Sequence, residues 1–366
     1  MATLDIPAAF AADYAEAREK FLAVARSRSL PVESHVHPTA RGAAGEALAA
    51  DVAVLGDPDA ATMLLLTSAM HGVEGFCGSG CQVALLRDDA AYERMASSGV
   101  AVVLYHAVNP YGFSQLRRGN EDNVDVNRNF RDFSQPIAPN AGYASVHAVV
   151  VPDEWPPGPR NAEALAAAVA LHGVEGLQAI ITSGQSEFPD GLFYAGRAPV
   201  WSNTLLRDEL RRHGARRRAF GWIDFHTGLG PWGHGEKIYS GPDDADSLAR
   251  ARRWYGSDVT SFYDGTSTSA ELTGVASRAA SESCPGVSFT GMALEFGTLP
   301  LADMLRALCA DQWLANHPEA AEPARRAIKR RMRETFYDDS VAWQAMVYGQ
   351  ARTAVLQALG ALEAQP

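Results

Sequence analysis

Met63–Gly75 reads MLLLTSAMHGVEG, and the fold follows from it. The apolar run Met63 to Leu66 has the length and composition of a strand buried on both faces. Thr67, Ser68 and Ala69 then lead into His71 and Glu74, an H-x-x-E pair. In open α/β sheets, ligands collect just beyond the carboxyl ends of strands, which is where this pair falls. An i, i+3 spacing on a turn aims both side chains the same way. An imidazole and a carboxylate make half of a zinc site. Taken alone, H-x-x-E fits a polar turn as readily.

The pentapeptide HGVEG recurs at His172–Gly176, so the chain carries its own control. The second copy follows NAEALAAAVAL, an Ala-rich stretch that reads as a helix. It precedes LQAIIT, which reads as the next strand, Leu177 to Thr182. That puts His172 at a helix-to-strand turn, with Gly173 suited to a helix C-cap. The expected functional copy is therefore His71 with Glu74. No further repeat period is present.

With 366 residues the chain has room for one large α/β domain or for two. A formal net charge of −11 argues against general nucleic-acid binding. The cluster Arg211, Arg212, Arg216, Arg217 and Arg218 reads as the solvated end of a helix. No apolar run is read as approaching the ~20 residues of a membrane helix, so no membrane partner is expected. The N-terminus reads as an amphipathic helix and makes a poor signal peptide. The four cysteines form no disulfide framework for a chain of this size, which points to a reducing cytoplasm. Cys77 and Cys81, at i and i+4, suit two thiols on one helix face.

Further strands are expected at Asp51–Leu55, Ala101–Pro110, Phe220–Phe225, Lys237–Ser240 and Gly291–Phe296. Helices are expected at Phe76–Leu86 and Asn203–His213 and through most of 301–362. Pro31 to Gly45 reads as loop and turn, and Tyr111 to Pro139 as a long functional loop. Alternating strands and helices imply a three-layer α/β/α sandwich around a mixed, largely parallel sheet. Nothing in the chain reads as a linker, so one domain over 1–366 is expected, with its motif-bearing core at about 50–310.

Three strand ends thus present His71 with Glu74, His226, and Glu295. Two histidines and a glutamate leave one tetrahedral zinc position open, as in catalytic rather than structural sites. A separate glutamate can then take a proton from the attacking water. Between the first two groups lie NPYG, Asn109–Gly112, and RGNEDNVDVNRNF, Arg118–Phe130. This order resembles the zinc carboxypeptidase superfamily, in which N-P-D-G, R-x-N and G-V-D-L-N-R-N-F separate H-x-x-E from the third ligand. Tyr111 stands where that superfamily has Asp, and Asn123 where it has Gly. The match runs from about Met63 to Gly297. The segments GQSEFPDGLFYAG and IDFHTGLGPWGHGE look more like a bacterial branch than like digestive carboxypeptidases.

The resemblance implies roles residue by residue. His71, Glu74 and His226 are to hold one zinc ion. Glu295 matches the general base and acid. Arg118 matches the arginine that polarises the scissile carbonyl. Asn127 and Arg128 match the pair that grips a substrate carboxylate. Asp125 matches a carboxylate that orients a metal-binding imidazole. Asp224 is either a second such acceptor or the acid of a buried polar pair. Asn129 reads as structural, His106 as a core residue and His234 as a surface one. The family's mobile tyrosine has three candidates, Tyr239, Tyr255 and Tyr263; Tyr263, in S-F-Y-D-G, is the one chosen here.

The function implied is a zinc-dependent metallopeptidase cutting an amide bond near a free carboxylate, in a peptide or peptide-like metabolite. An N-acyl amino acid deacylase, resembling aspartoacylase and succinylglutamate desuccinylase, is the alternative. Those proteins add a C-terminal β-domain, whereas 301–366 reads as helix here. A metal- or ligand-binding protein without catalysis is the third reading.

Overall fold

The computed structural model describes residues 4–365. One sheet of eight strands runs through the molecule. The strands are β1 (Val32–Arg41), β2 (Ala47–Leu55), β3 (Thr62–Thr67), β4 (Ala101–His106), β5 (Ala219–Trp232), β6 (Gly235–Tyr239), β7 (Val259–Thr260) and β8 (Ser288–Gly297). Their order is β1-β2-β4-β3-β5-β8-β6-β7. The central run β4-β3-β5-β8 is parallel, while β1-β2, β2-β4 and β6-β8 are antiparallel.

Side-chain alternation along the central strands builds two cores. Leu64, Leu66, Val102, Leu104, Ile223 and Phe225 face one side. There they meet α1 (Tyr14–Ser27), α2 (Gly75–Arg87), α3 (Asp89–Ala96), α8 (Ala245–Tyr255) and α12 (Val341–Glu363). Met63, Leu65, Val103, Phe220 and Trp222 face the other side, under α7 (Trp201–Gly214) and α9 (Arg278–Ser283). A third apolar cluster joins α5 (Ala141–Val150), α6 (Pro159–Thr182), α10 (Leu301–Asn316) and α11 (Glu322–Phe336). The short helix α4 (Pro110–Ser114) is capped by Asn109, whose Oδ1 accepts the Gly112 amide at 2.9 Å.

Four expectations need correction. Pro31 to Gly45 is largely strand β1 rather than loop. Most of its side chains are exposed, so it has no apolar alternation to read, and pairing with β2 fixes it at the sheet edge. Pro38 is tolerated because an edge strand has one face of amides free. LQAIIT is not a strand: Leu177 to Thr182 continues α6 past a break at Gly173 (φ 71°). Its β-branched residues suggested extension, but Leu177 and Ile181 are four apart and bury together against Tyr143 and Val146. Helix α6 is also long and apolar enough, by length and composition, to cross a membrane, with only 17% of its most apolar window buried. Its alanines, with valine, leucine and isoleucine, make the helix apolar on average without forming one continuous run of large apolar residues.

Strand β5 runs on beyond His226 to Trp232, where a strand end was expected. Its neighbour β3 stops at Thr67, opposite Asp224. His226 therefore emerges past the end of β3, at the same level as His71.

Candidate active site

The loop after β3 is shaped by close backbone contact. A Cβ on Gly72 would lie 2.0–2.3 Å from the backbone of Gly112, so HGVEG and NPYG interlock only as glycines. The Gly72 and Val73 amides donate to the carbonyls of Arg118 (3.2 Å) and Arg117 (2.9 Å). Ala69 holds a left-handed conformation (φ 58°), a strained state for a residue with a Cβ. These constraints seat His71, Glu74 and Arg118 on one rim.

His71, Glu74 and His226 are all buried, and one ligand atom from each lies within 4.8 Å of the others. His71 Nδ1 is 2.9 Å from Glu74 Oε1, and His226 Nδ1 is 2.9 Å from Glu74 Oε2. The two Nδ1 atoms approach to 3.2 Å. Behind His226, Nε2 meets Asp224 Oδ2 at 2.8 Å, and Asp224 Oδ1 accepts the Thr67 hydroxyl at 2.6 Å. Behind His71, Nε2 lies between Asp125 Oδ1 (3.3 Å) and Arg118 Nη2 (2.7 Å).

This donor set fits a divalent cation. Two imidazole nitrogens and a carboxylate converge on one buried point, each backed by a carboxylate or a cation. In the protein's own hydrogen-bond network, protons stand at that point. Burial opposes charge on His226, but Asp224 and Glu74 outweigh it and raise the imidazole well above its ordinary value. Burial likewise opposes charge on Glu74, yet His71 and His226 hold it well below the usual carboxylate range. A cation held here by His71, Glu74 and His226 would take the place of those protons, with Asp125 behind His71 and Asp224 behind His226.

Glu295 stands beside this centre without joining it. Its Oε1 accepts the Leu229 amide at 3.0 Å. Burial, and then the Glu74 charge, push it up to about 8. Arg118 Nε is bound by Asp125 Oδ2 at 2.9 Å, and its guanidinium carbon lies 4.7 Å from the centre of the Phe193 ring. Arg128 is buried and donates to the carbonyls of Thr182 (2.9 and 2.7 Å) and Asn127 (2.9 Å). Among the described residues, no carboxylate oxygen lies within ion-pair distance of it. Burial lowers its guanidinium to about 10, against the pull of Asp125. Asn127 Oδ1 accepts the Ala276 amide at 2.8 Å.

His71, Glu74, His226, Arg118, Asn127, Arg128 and Glu295 all line one cavity. Asp125 lies directly behind the rim. Tyr263 is not brought there: it is 39% exposed and its hydroxyl donates to the Gly241 carbonyl at 3.3 Å. No tyrosine lines the cavity among the described residues, and the neighbouring Phe262 does. The second pentapeptide lies within α6, and His172 is not part of the cavity, although Gln178 and Thr182 of the same helix are. Asn129 ties backbone segments together, His106 is a core residue bonded to Ser79, and His234 is exposed. All four cysteines are free.

Sequence reasoning missed Phe193. It sits in the left-handed region (φ 52°), with its ring near both Arg118 and Arg128. An aromatic residue in a long loop gives no local signal of that role.

The sheet order and the α/β layering have a counterpart among solved structures. The chain superimposes on thrombin activatable fibrinolysis inhibitor with a TM-score of 0.51 at 12% identity, covering 97% of this chain and 75% of that one. Carboxypeptidase A from Helicoverpa armigera aligns with a TM-score of 0.47 at 14% identity, over 93% and 73% of the two chains. The chain belongs to the family described as "Protein of unknown function (DUF2817)", whose sequence model matches residues 10–350. No curated protein matches it.

Proposed function

We propose that this chain is a zinc-dependent hydrolase that cuts an amide bond next to a free carboxylate, as a carboxypeptidase acting on a peptide or peptide-like substrate. The observation that carries the proposal is the shared cavity. A cation-type donor set, a buried carboxyl group outside that set and a buried arginine with no carboxylate at ion-pair distance among the described residues all face one space. His71, Glu74 and His226 hold the metal; two nitrogens and a carboxylate suit zinc. When bound, zinc supplies Lewis-acid polarisation and an electrostatic sink for developing negative charge.

The protein's own groups do the rest. Arg128 and Asn127 receive the substrate carboxylate, replacing bulk water with a preformed cationic pocket. Arg118 faces the oxygen of the scissile carbonyl, where negative charge grows during attack. Glu295 takes a proton from the attacking water and returns it to the leaving nitrogen, a role suited to a carboxylate beside the metal ligands that is not one of them. The cavity walls add Trp222, Ile238, Leu272, Val275, Met304 and Leu308. Apart from the groups already given roles and Asp224 behind His226, the lining carries no charged side chain among the described residues, which favours uncharged flanking groups on the substrate.

The test is a comparison of purified, zinc-loaded protein on N-acyl dipeptides with apolar residues, each as the free acid and as the C-terminal amide. Hydrolysis of the acid at the terminal bond supports the reading. Equal rates on acid and amide remove it and point to an amidase or endopeptidase.

A further inference from the structure

Across β5, β8 and β6, two adjacent rows of the sheet face the cavity. Asp224, Ala293 and Ile238 form one row, and His226, Glu295 and Glu236 the other. Residues directly paired across neighbouring strands project from the same face. Five of these six positions line the cavity, and Glu236 does not. Its carboxylate is buried beneath a loop that covers that end of the row.

The loop is Thr260–Thr268, and Glu236 holds both of its ends. Glu236 Oε1 accepts the Thr260 hydroxyl at 2.6 Å and the Thr268 amide at 3.1 Å, and Oε2 accepts the Thr268 hydroxyl. No cation lies within ion-pair distance of Glu236 among the described residues, so these donors alone stabilise a buried carboxylate. Such a group is costly to bury and binds its donors strongly. Inside the loop, Ser261 and Thr266 bond each other: the Ser261 amide donates to Thr266 Oγ1 at 2.9 Å and the Thr266 amide to the Ser261 carbonyl at 3.0 Å. The loop thus has a braced interior, and its start is paired to β6 at Ile238, its Tyr263 hydroxyl reaches the Gly241 carbonyl and its Asp264 meets Arg252 at 2.8 Å, but Glu236 is the side chain that ties its two ends together. It carries Phe262 into the cavity wall, and Ser269 and Ala270 follow it there.

We infer that Glu236 is a positioning residue that fastens the Thr260–Thr268 loop over the sheet and so fixes Phe262 in the wall of the substrate cavity. The kinetic consequence rests on the hydrolase reading above; the structural consequence does not. Glu236 belongs to the glycine-rich GHGE segment, for which the metal and substrate groups supply no use.

Two measurements test it on the full chain loaded with zinc. The first is hydrogen–deuterium exchange with mass spectrometry. Glu236→Ala is expected to speed exchange at least tenfold within 260–268 while 62–75 and 219–228 stay as in the parent. Glu236→Gln, which keeps an acceptor at the same reach, should restore most of the protection. Unchanged exchange in Glu236→Ala overturns the inference. If Glu236→Ala does not fold, Thr268→Val, which removes one hydroxyl from the clasp, is read in its place under the same criterion.

The second measurement is steady-state kinetics with an N-benzoyl dipeptide ending in free-acid phenylalanine. Glu236→Ala and Phe262→Ala should each raise KM at least fivefold with kcat within twofold, and the double variant should do no more than either alone. Independent, multiplying effects overturn the inference, because residues acting through one contact are not additive. If the parent protein does not cleave this probe, the hydrolase reading loses support and the exchange experiment alone decides the role of Glu236.

Discussion

His226 and Glu295 are direct register partners on the parallel strands β5 and β8, so one sheet contact sets a metal-type imidazole beside the candidate base. Glu295 is also tied to the Leu229 amide, which fixes its carboxylate independently of the metal. Glu295→Gln keeps that acceptor and the side-chain length. It should retain zinc and melting temperature and lose at least ~10²-fold in kcat, the lower end of general acid–base contributions. Loss of zinc in this variant, measured by elemental analysis, would make Glu295 a ligand instead.

The two copies of HGVEG separate by metal content. His71→Ala should abolish stoichiometric zinc, while His172→Ala, in α6 and outside the cavity, should keep it. The reverse result would move the metal centre to the second copy.

Glycine substitutions separate the copies a second way. A Cβ on Gly75 would lie 2.6 Å from the Phe113 ring and 2.8 Å from the Ala69 Cβ, whereas on Gly176 the nearest atom is 3.6 Å away. Gly75→Ala should destabilise by roughly 1–3 kcal/mol through overpacking. Gly176→Ala, inside a helix, should be neutral or stabilise by up to about 1 kcal/mol. Thermal or denaturant unfolding of the two variants decides it.

Selectivity for a free carboxylate should reside in Arg128. In the parent, kcat/KM for a free-acid substrate should exceed that for its amide by ~10- to 100-fold, the worth of a charge-assisted hydrogen bond of ~1.5–3 kcal/mol. In Arg128→Gln that ratio should collapse toward one. A ratio that survives the substitution would assign the carboxylate to another group.

Asp224 should tune metal affinity without binding metal. Asp224→Asn weakens the 2.8 Å contact behind His226 and should lower zinc affinity about 10- to 100-fold, as measured by competition with a chelator. Unchanged affinity would leave Asp224 as the acid of a buried polar pair with Thr67.

What the sequence made legible follows from how locally each feature is determined. Met63–Leu66 and Glu295 could be read because each depends on its own neighbours, an apolar run and an acid in an apolar strand, whereas VDVNRNF was legible only through its resemblance to a known family. Val32–Arg41 could not, since an exposed edge strand is extended only because β2 is beside it. Leu177–Thr182 misled because Ile180, Ile181 and Thr182 favour extension in isolation, and packing on α5 overrides them. The role of Phe193 beside two arginines and that of Glu236 under its loop arise from segments far apart in sequence. Identical pentapeptides ending as a strand-end turn and as a broken helix show the limit most directly.

Asp125 touches both halves of the site, with Oδ2 on Arg118 Nε and Oδ1 near His71 Nε2, where Arg118 Nη2 also crowds the ring at 2.7 Å. A metal held at Nδ1 would need a proton on Nε2, and a guanidinium pressed against that atom would oppose it. A carbonyl oxygen that draws Arg118 toward itself relieves this opposition. Thermodynamic reciprocity then requires that substrate tighten the metal by the same factor as metal tightens the substrate. On the proposed reading, metal retention would be a property of the ternary complex, and zinc affinity measured without substrate would understate how firmly the ion is held during turnover.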